Sequence, residues 1–544
     1  MALAHGRTHQ PGKLILRYMS PKDSSVWPRI LRSAILACTL GAATSSVHAD
    51  QATPAATPPR TYDFSAALSA SESYVDNSEG LAGGSRSDFV TSLGFDAHYY
   101  ERSRRTVFSA NYSFGADFYA NGSQATQIRN NLLALGSIEA IPEHLVLTAS
   151  AFASPVIVSN LGIATAGNRV VANGYQNSFG FSVGPVLRFR FGDFATSETS
   201  GLYGSTFFSR PAGSTPVVII PGVPGPEDTI SRSAFQQFSS GEYFERLQWT
   251  ATGVFSETKR KQGLLSEKAG IGALRYALSH EVALLGTVGY DAISDTIPLK
   301  PNVSGLVALG GVAVTLGANF SFELQGGRKY NNTSFIGDLR YNLSPKTAVV
   351  GSLTDTVTTP EGQLLASLTN LTVTPNGTLT SSSDLLGDGT PASLATFGLQ
   401  SPGSFGFDQN ISRYQTGTLS FLEDFERNHV AFSFFASRRT ILSGVFVGPP
   451  VTNSWGGSLN LARDISPRTV GTIGTSYTID EELGGRAESF RIDGQVSYSL
   501  SRQMGVYLRA DYLDRNSSSS LSALSPFAGS LTDYQITIGV SRTL

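Results

Sequence analysis

The sequence predicts an all-β chain, a single transmembrane, antiparallel, up-and-down barrel of about 22 strands (range 18–22) in an outer membrane. Three observations predict it. From Tyr62 onward, apolar and polar residues alternate with a period of two, the pattern of a strand with a different solvent on each face. Many of these segments run roughly ten to fifteen residues, well beyond the usual strand of a soluble domain. They come in pairs joined by a tight turn, and the next connection is longer, polar and irregular, as in "VDNSEGLAGGSR", "PLKPNVS" and "DRNSSSSLSALSPFAGS". Short turns on one side and long loops on the other mark an outer-membrane barrel.

Composition narrows the class in the same direction. Of 544 residues, 40% are hydrophobic, only 15% are charged and 56 are glycine. That leaves few charges for a soluble surface and too little hydrophobicity for a helical membrane bundle. No run of eighteen apolar residues offers a spanning helix.

Residues 1–49 read as a signal peptide with an upstream extension before Met19. Arg29 and Arg32 precede the apolar "SAILACTLGAA", and Val47–Ala49 supplies small residues for cleavage after Ala49. Cys38 is the only cysteine. It follows Ile35-Leu36-Ala37 in a faint likeness to a lipoprotein box, but the apolar run is too short, so Cys38 is expected to leave with the leader. Residues 50–60, "DQATPAATPPR", read as a disordered periplasmic spacer, and 61–544 as the barrel. Residues 1–49 hold six basic residues and one acid; without them the totals of 40 and 42 fall to a net charge of −7. A mildly acidic chain carries no electrostatic footprint for nucleic acid.

The first strands are placed at 62–76, 88–102, 106–120, 126–140, 145–155, 175–190, 194–208, 231–243, 245–258, 267–278 and 282–292. The remainder fall at 303–314, 319–330, 332–342, 347–357, 410–423, 428–440, 452–464, 469–480, 487–499, 504–514 and 531–544. The pairs in 231–258 and 303–330 rest on the weakest alternation and set the lower bound of the range. An even count with both ends periplasmic fits single-chain bacterial barrels. In 88–102, Phe89, Leu93, Phe95, Ala97 and Tyr99 share a face; in 106–120, Phe108, Ala110, Tyr112, Phe114, Ala116 and Phe118 do. Tyr99, Tyr100, Tyr341, Tyr477, Tyr498 and Tyr512 sit near strand ends, where aromatic girdles belong.

One corner recurs: "YNLSPKTAVV" at 341–350 returns as "YALSHEVALL" at 276–285, "RDISPRTVGT" at 463–472 and "YSLSRQMGVY" at 498–507, with the looser "EAIPEHLVLT" at 139–148. These read as periplasmic hairpin turns. Duplication and shared constraint both produce such a set, and the flanking strands do not align, which favours constraint. The C-terminal "DYQITIGVSRTL" partly resembles the insertion signal of outer-membrane barrels through Thr537, Gly539 and Leu544. Arg542 and the non-aromatic terminus depart from it.

Catalytic chemistry finds little footing. His98, His144, His280 and His429 lie on separate hairpins without metal-ligand spacing. No serine sits in a G-x-S-x-G elbow, and the Gly clusters lack the strand-to-helix setting that phosphate binding requires. The expectation is no enzyme, no metal and no cofactor.

Alternation also selects charges for the barrel interior. Phe179, Phe181, Val183, Leu187 and Phe189 take the lipid face, which turns Arg188 and Arg190 inward. The same logic turns inward Arg275, Asp338 and Arg340, Arg491 and Asp493, and Arg509 and Asp511. An Arg facing lipid at the midplane would cost roughly 2–4 kcal/mol. These charges read either as ladders that stiffen the wall or as a selectivity surface for glycan hydroxyls, carboxylates or sulfates. The longest loop, 358–410, is apolar enough in "EGQLLASLTNLTVTPNGTL" to fold inward as a constriction or lid, or else stands exposed.

Several stretches resemble a family. "ASESYVDNSEGL", "SDFVTSLGF" and "RRTVFSANYSFGADFYANGS" are similar to the opening of outer-membrane proteins associated with the PEP-CTERM/exosortase system, related to β-barrel porins of exopolysaccharide gene clusters. "GPVLRFRFGDFAT" at 184–196 resembles that family's mid-barrel hairpin, and "SLTDTVTTPEGQLL" with "ASRRTILSGVF" fits its second half. The resemblance implies a barrel linked to surface-polysaccharide or surface-protein biogenesis, and it carries over no known catalytic or ligand-binding residue. The function expected is a porin-like channel, a conduit for exopolysaccharide or related surface material. The alternatives are a non-conducting barrel that assembles or anchors envelope machinery, and a general diffusion porin. A plugged transporter is disfavoured, because no plug domain or energy-coupling sequence is read before the first strand. Expected partners are outer-membrane lipid and lipopolysaccharide, the barrel-insertion machinery and polysaccharide export components.

Overall fold

The computed structural model describes residues 61–81, 84, 86–157, 166, 175–209, 227–261, 263–296, 302–359, 362, 371–373, 379–381, 410–444, 450–482, 485–518 and 529–544. The leader and spacer read in residues 1–60 lie outside the described residues.

The wall begins with β1 Thr61–Val75, β2 Asp88–Arg102, β3 Thr106–Tyr119, β4 Gln127–Ile141, β5 Leu145–Ile157, β6 Tyr175–Phe191, β7 Ala195–Ser209 and β8 Thr229–Ser240. It continues through β9 Leu247–Lys259, β10 Leu264–Ala277, β11 Val282–Asp295, β12 Val303–Leu316, β13 Phe320–Lys329, β14 Asn332–Ser344 and β15 Thr347–Thr358. Two short strands, β16 Leu371–Val373 and β17 Leu379–Ser381, form a hairpin inside the longest loop. The wall resumes with β18 Ile411–Asp424, β19 Asn428–Ser443, β20 Val451–Ser466, β21 Thr469–Glu482, β22 Gly485–Ser499, β23 Met504–Ser517 and β24 Leu531–Thr543. Each wall strand pairs antiparallel with its neighbours, and β24 closes on β1 from Val75↔Gln535 to Ala67↔Thr543. The result is a closed barrel of 22 strands. Each strand predicted from alternation corresponds to one wall strand, the boundaries moving by a few residues.

Two solvents shape the wall. Phe89, Phe181, Val288, Leu306, Phe432 and Ile538 are among the large apolar side chains exposed on one face. The residues that alternate with them carry most of the charges. A closed barrel pairs every strand edge, which lipid demands because unpaired amides there cost several kcal/mol each. Closure, an apolar outer face and strands of 10–17 residues make this an outer-membrane barrel. One girdle assignment is corrected. Tyr99 is on the outer face, but Tyr100 follows it and therefore points inward, where it is 5% exposed. Tyr341, Tyr477, Tyr498 and Tyr512 are on the outer face and exposed.

The recurring corner has a local cause. In the turns after β10, β14, β20 and β22, the serine at the corner accepts the N–H two residues on. Glu281 N reaches Ser279 Oγ at 3.2 Å, Lys346 N reaches Ser344 at 3.1 Å, and Arg468 and Gln503 reach Ser466 and Ser501 at 3.2 Å. Such side-chain turns satisfy a backbone donor that a tight corner orphans. A shared hydrogen bond gives the recurring corner a local cause in each of the four turns. These turns mark the periplasmic side.

The other side is not uniformly long-looped. β13 and β14 are joined by Tyr330 and Asn331 alone, at φ 48° and 62°. That is a two-residue turn of the mirror type that fits hairpin twist. Asn tolerates this backbone and Tyr does so poorly. Tyr330 is held there by its hydroxyl bond to Asp291 and by burial of its ring against Ile293, Val357 and Ile411.

Candidate functional site

That contact is unexpected, because Ile293 and Val357 begin on opposite faces of the wall. The register places Ile293 on the inner face of β11, with Leu265 and Val303 beside it on β10 and β12. Val357 shares its β15 face with Leu353, which is 44% exposed on the outer surface. The reason lies in the seam between β14 and β15. They pair from Ser344↔Thr347 up to Gly337↔Leu353 and no further. Above that point β14 stays with β13 and β15 stays with β18. The extracellular ends of β15 and β18 therefore fold inward across the β13–β14 hairpin and lay their outer face on the inner wall of β10–β12. Gly337 sits at the parting, where a Cβ would come within 2.5 Å of Glu323 O; any side chain would obstruct it.

Side chains tie down this flap. Arg413 Nε donates to Asp355 Oδ1 at 2.8 Å, and its Nη2 donates to Thr333 O, also at 2.8 Å. Gln415 Nε2 donates to Asp355 Oδ2 at 3.2 Å, and Lys329 Nζ donates to Asp355 O at 2.9 Å. Arg413, Asp355 and Lys329 are at most 5% exposed at their side chains or overall. A buried ion pair needs its remaining hydrogen-bonding groups satisfied, and here the backbone left unpaired by the split supplies them. Between flap and wall, Ser231, Ser256, Thr258, Glu267, Thr358 and Thr359 line a cavity of about 40 Å³. That is room for a few waters and no sugar.

Described residues of two connections also lie against the wall. The β16–β17 hairpin touches β3 and β4. Those strands lie across the barrel, with β5 to β14 between them and the flap one way round and β19 to β24, β1 and β2 the other. Of the two readings of the long loop, inward folding describes this hairpin. From the β5–β6 connection, Ala166 packs on Leu513 and Leu531 of the inner wall and donates its N–H to Asp533 Oδ2 at 2.8 Å.

Below this rim lie the charges selected by alternation. The register puts Arg188, Arg190, Arg275, Asp338, Arg340, Arg491, Asp493, Arg509 and Asp511 on the inner face, the first three and Arg340 toward the periplasmic turns and the others near mid-strand. They form separate groups. Arg188 pairs with Glu198 at 3.0 Å, and Arg190 with Asp193 and Glu242 at 3.2 and 3.0 Å near the periplasmic turn. Arg275 spans β11 and β12 to reach Glu323 at 2.6 Å, and Asp338 lies opposite Glu323 in the register. Arg340 is exposed to the lumen and has no ion-pair partner among the described residues. On β22 and β23, Asp493 faces Asp511, which accepts from Arg509 Nε at 3.0 Å.

Sequence reasoning did not single out Arg413, Asp355 or Lys329, nor Arg129, whose Nη2 meets Asp117 at 2.9 Å on the inner wall. A signal existed: Asp355 and Arg413 carry opposite charges at lipid-parity positions on the two strands flanking the longest loop. Among the described residues no group of His, Cys, Asp and Glu could hold a metal ion. His98 bonds Asn111 at 2.5 Å on the inner face, while His429 pairs with Asp424 at a periplasmic turn.

No family model and no curated protein matches the chain. Solved structures do. The FrpB iron transporter from Neisseria meningitidis (F3-3 variant) is 11% identical over 88% of this chain and 81% of its own, at a TM-score of 0.47. The siderophore receptor PirA from Acinetobacter baumannii is 7% identical over 89% and 81%, at 0.45. The open form of the ferric-catecholate import receptor Fiu from E. coli K12 is 9% identical over 89% and 82%, at 0.47. Likenesses this distant carry no argument about what the present chain does.

Proposed function

We propose that this barrel is a porin-like polar conduit across the outer membrane, held shut at its extracellular rim by its own strands and loops, with exopolysaccharide or related surface material as cargo. The observation that carries the reading is the division of the lumen. Arginines and carboxylates line it from the periplasmic turns to mid-strand on β6, β10, β13, β14, β22 and β23, and the in-folded flap lies against the inner wall nearer the extracellular rim. A polymer arriving from the periplasm meets guanidinium groups able to bind carboxylates or hydroxyls before it meets the barrier. The resemblance to barrels of exopolysaccharide gene clusters supports the choice of cargo. A second reading, a non-conducting barrel that anchors envelope machinery, draws on the same in-folded rim.

Planar-bilayer recordings separate the two. The full chain purified from outer membranes is compared with a variant whose residues 356–414 are replaced by a tight turn joining Asp355 to Gln415, which face each other in the register. The variant is expected to hold a steady conductance that falls when acidic polysaccharide is added on the periplasmic side, and the parent to open rarely. A folded variant that stays silent overturns the conduit and leaves the anchoring reading.

A further inference from the structure

We infer that the extracellular end of β15–β18 is a flap with two seats, and that in its second seat β15 zips onto β14 to complete the wall and clear the mouth. The inference rests on the conduit reading for its purpose, and on the split seam for its mechanism.

In the observed seat, Asn332–Ile336 of β14 and Thr354–Thr358 of β15 run past the last shared pair without bonding each other. Both segments remain strands, each fully paired on its far side with β13 or β18. An unpaired edge takes up another strand readily. The occupant whose register is already set is β15 itself. Continuing the ladder from Gly337↔Leu353 would set Ile336 opposite Thr354, Phe335 opposite Asp355, Ser334 opposite Thr356, Thr333 opposite Val357 and Asn332 opposite Thr358. No residue need be inserted or deleted.

The faces come out in order as well. Thr354, Thr356 and Thr358 would point into the lumen beside Ser334, while Val357 would turn outward. Asp355 and Arg413 would reach the outer surface at the rim, where charge is tolerated far better than at the bilayer midplane. Each seat thus satisfies what the other leaves open. Flap-in replaces the missing ladder with Arg413 on Thr333 O and Lys329 on Asp355 O, together with the buried contact of Tyr330, Val357, Ile411 and Ile293. Flap-out exchanges these for backbone hydrogen bonds and frees Lys329 to face the lumen.

Disulfide trapping tests it. With Cys38→Ser the chain has no other thiol. Ser334→Cys with Thr356→Cys reports the zipped seat, and Ile293→Cys with Ile411→Cys reports the observed one. Both pairs are oxidised in outer membranes, and the linked peptides are identified by mass spectrometry. Both links are expected to form. The 334–356 link should raise open probability at least tenfold and the 293–411 link should abolish openings, each reversed by dithiothreitol. If the 293–411 link is quantitative and 334–356 never links in a folded barrel, the flap has one seat and the inference falls, while the conduit reading is untouched. If 334–356 links and the barrel stays silent, the two seats stand and the conduit reading falls.

Discussion

At Arg413 the guanidinium makes two kinds of bond, one to a carboxylate and one to a carbonyl that has lost its strand partner. Truncating it would leave Asp355 charged and almost without solvent, and breaking a buried pair from one side costs about 3–5 kcal/mol. Arg413→Ala is therefore expected to lower the urea midpoint for unfolding in liposomes, and Asp355→Asn combined with Arg413→Gln to recover most of the loss. Equal midpoints for parent and Arg413→Ala would mean that water reaches the site. The arginines near the periplasmic turn behave differently, because they are solvated and their pairing is worth little to stability. Replacing Arg188 and Arg190 with Ser removes two positive charges from beside Glu198, Asp193 and Glu242. In a variant already opened by excising 356–414, the reversal potential should move toward cation selectivity, and an unmoved potential would place these arginines off the conduction path.

Each strand is a ruler with two edges of meaning, since a residue's parity decides its solvent. Val288, midway along β11, is 66% exposed on the outer face, whereas Asn460, midway along β20, is exposed on the inner one. Val288→Arg should destabilise the barrel by about 2–4 kcal/mol, and Asn460→Arg by less than about 0.5 kcal/mol; comparable losses would undo the assignment of faces. The same parity explains what was legible beforehand. It located the strands and turned Arg188 or Asp511 inward, because lipid and water impose a period of two on every segment. It failed at Tyr100, where proximity to a strand end outweighed the alternation that Tyr99 had already set. It could not foresee the flap, since the period of two runs on from Leu353 to Val357 with only Asp355 out of place, although the strand itself leaves the wall. Alternation says which side a residue is on and nothing about where the sheet goes. Only the cost of Asp355 and Arg413 on an apolar face hinted that the face had changed its surroundings.

Over the whole barrel, the wall and its rim are built from separate contacts. The 22-strand ladder satisfies the backbone in lipid, and the rim is dressed by side chains drawn from strands far apart in sequence. Asp533 shows what this means for biogenesis. Its carboxylate receives the N–H of Asn77 at 3.3 Å from the β1–β2 connection and that of Ala166 from the β5–β6 connection. It belongs to β24, the strand that closes the wall on β1. Two connections between early strands are thus anchored only in the step that brings β24 to β1, which closes the wall and fastens the rim together. A barrel still open at that seam is therefore unlatched, and quality-control proteases able to reach those connections would see it as different from a closed one.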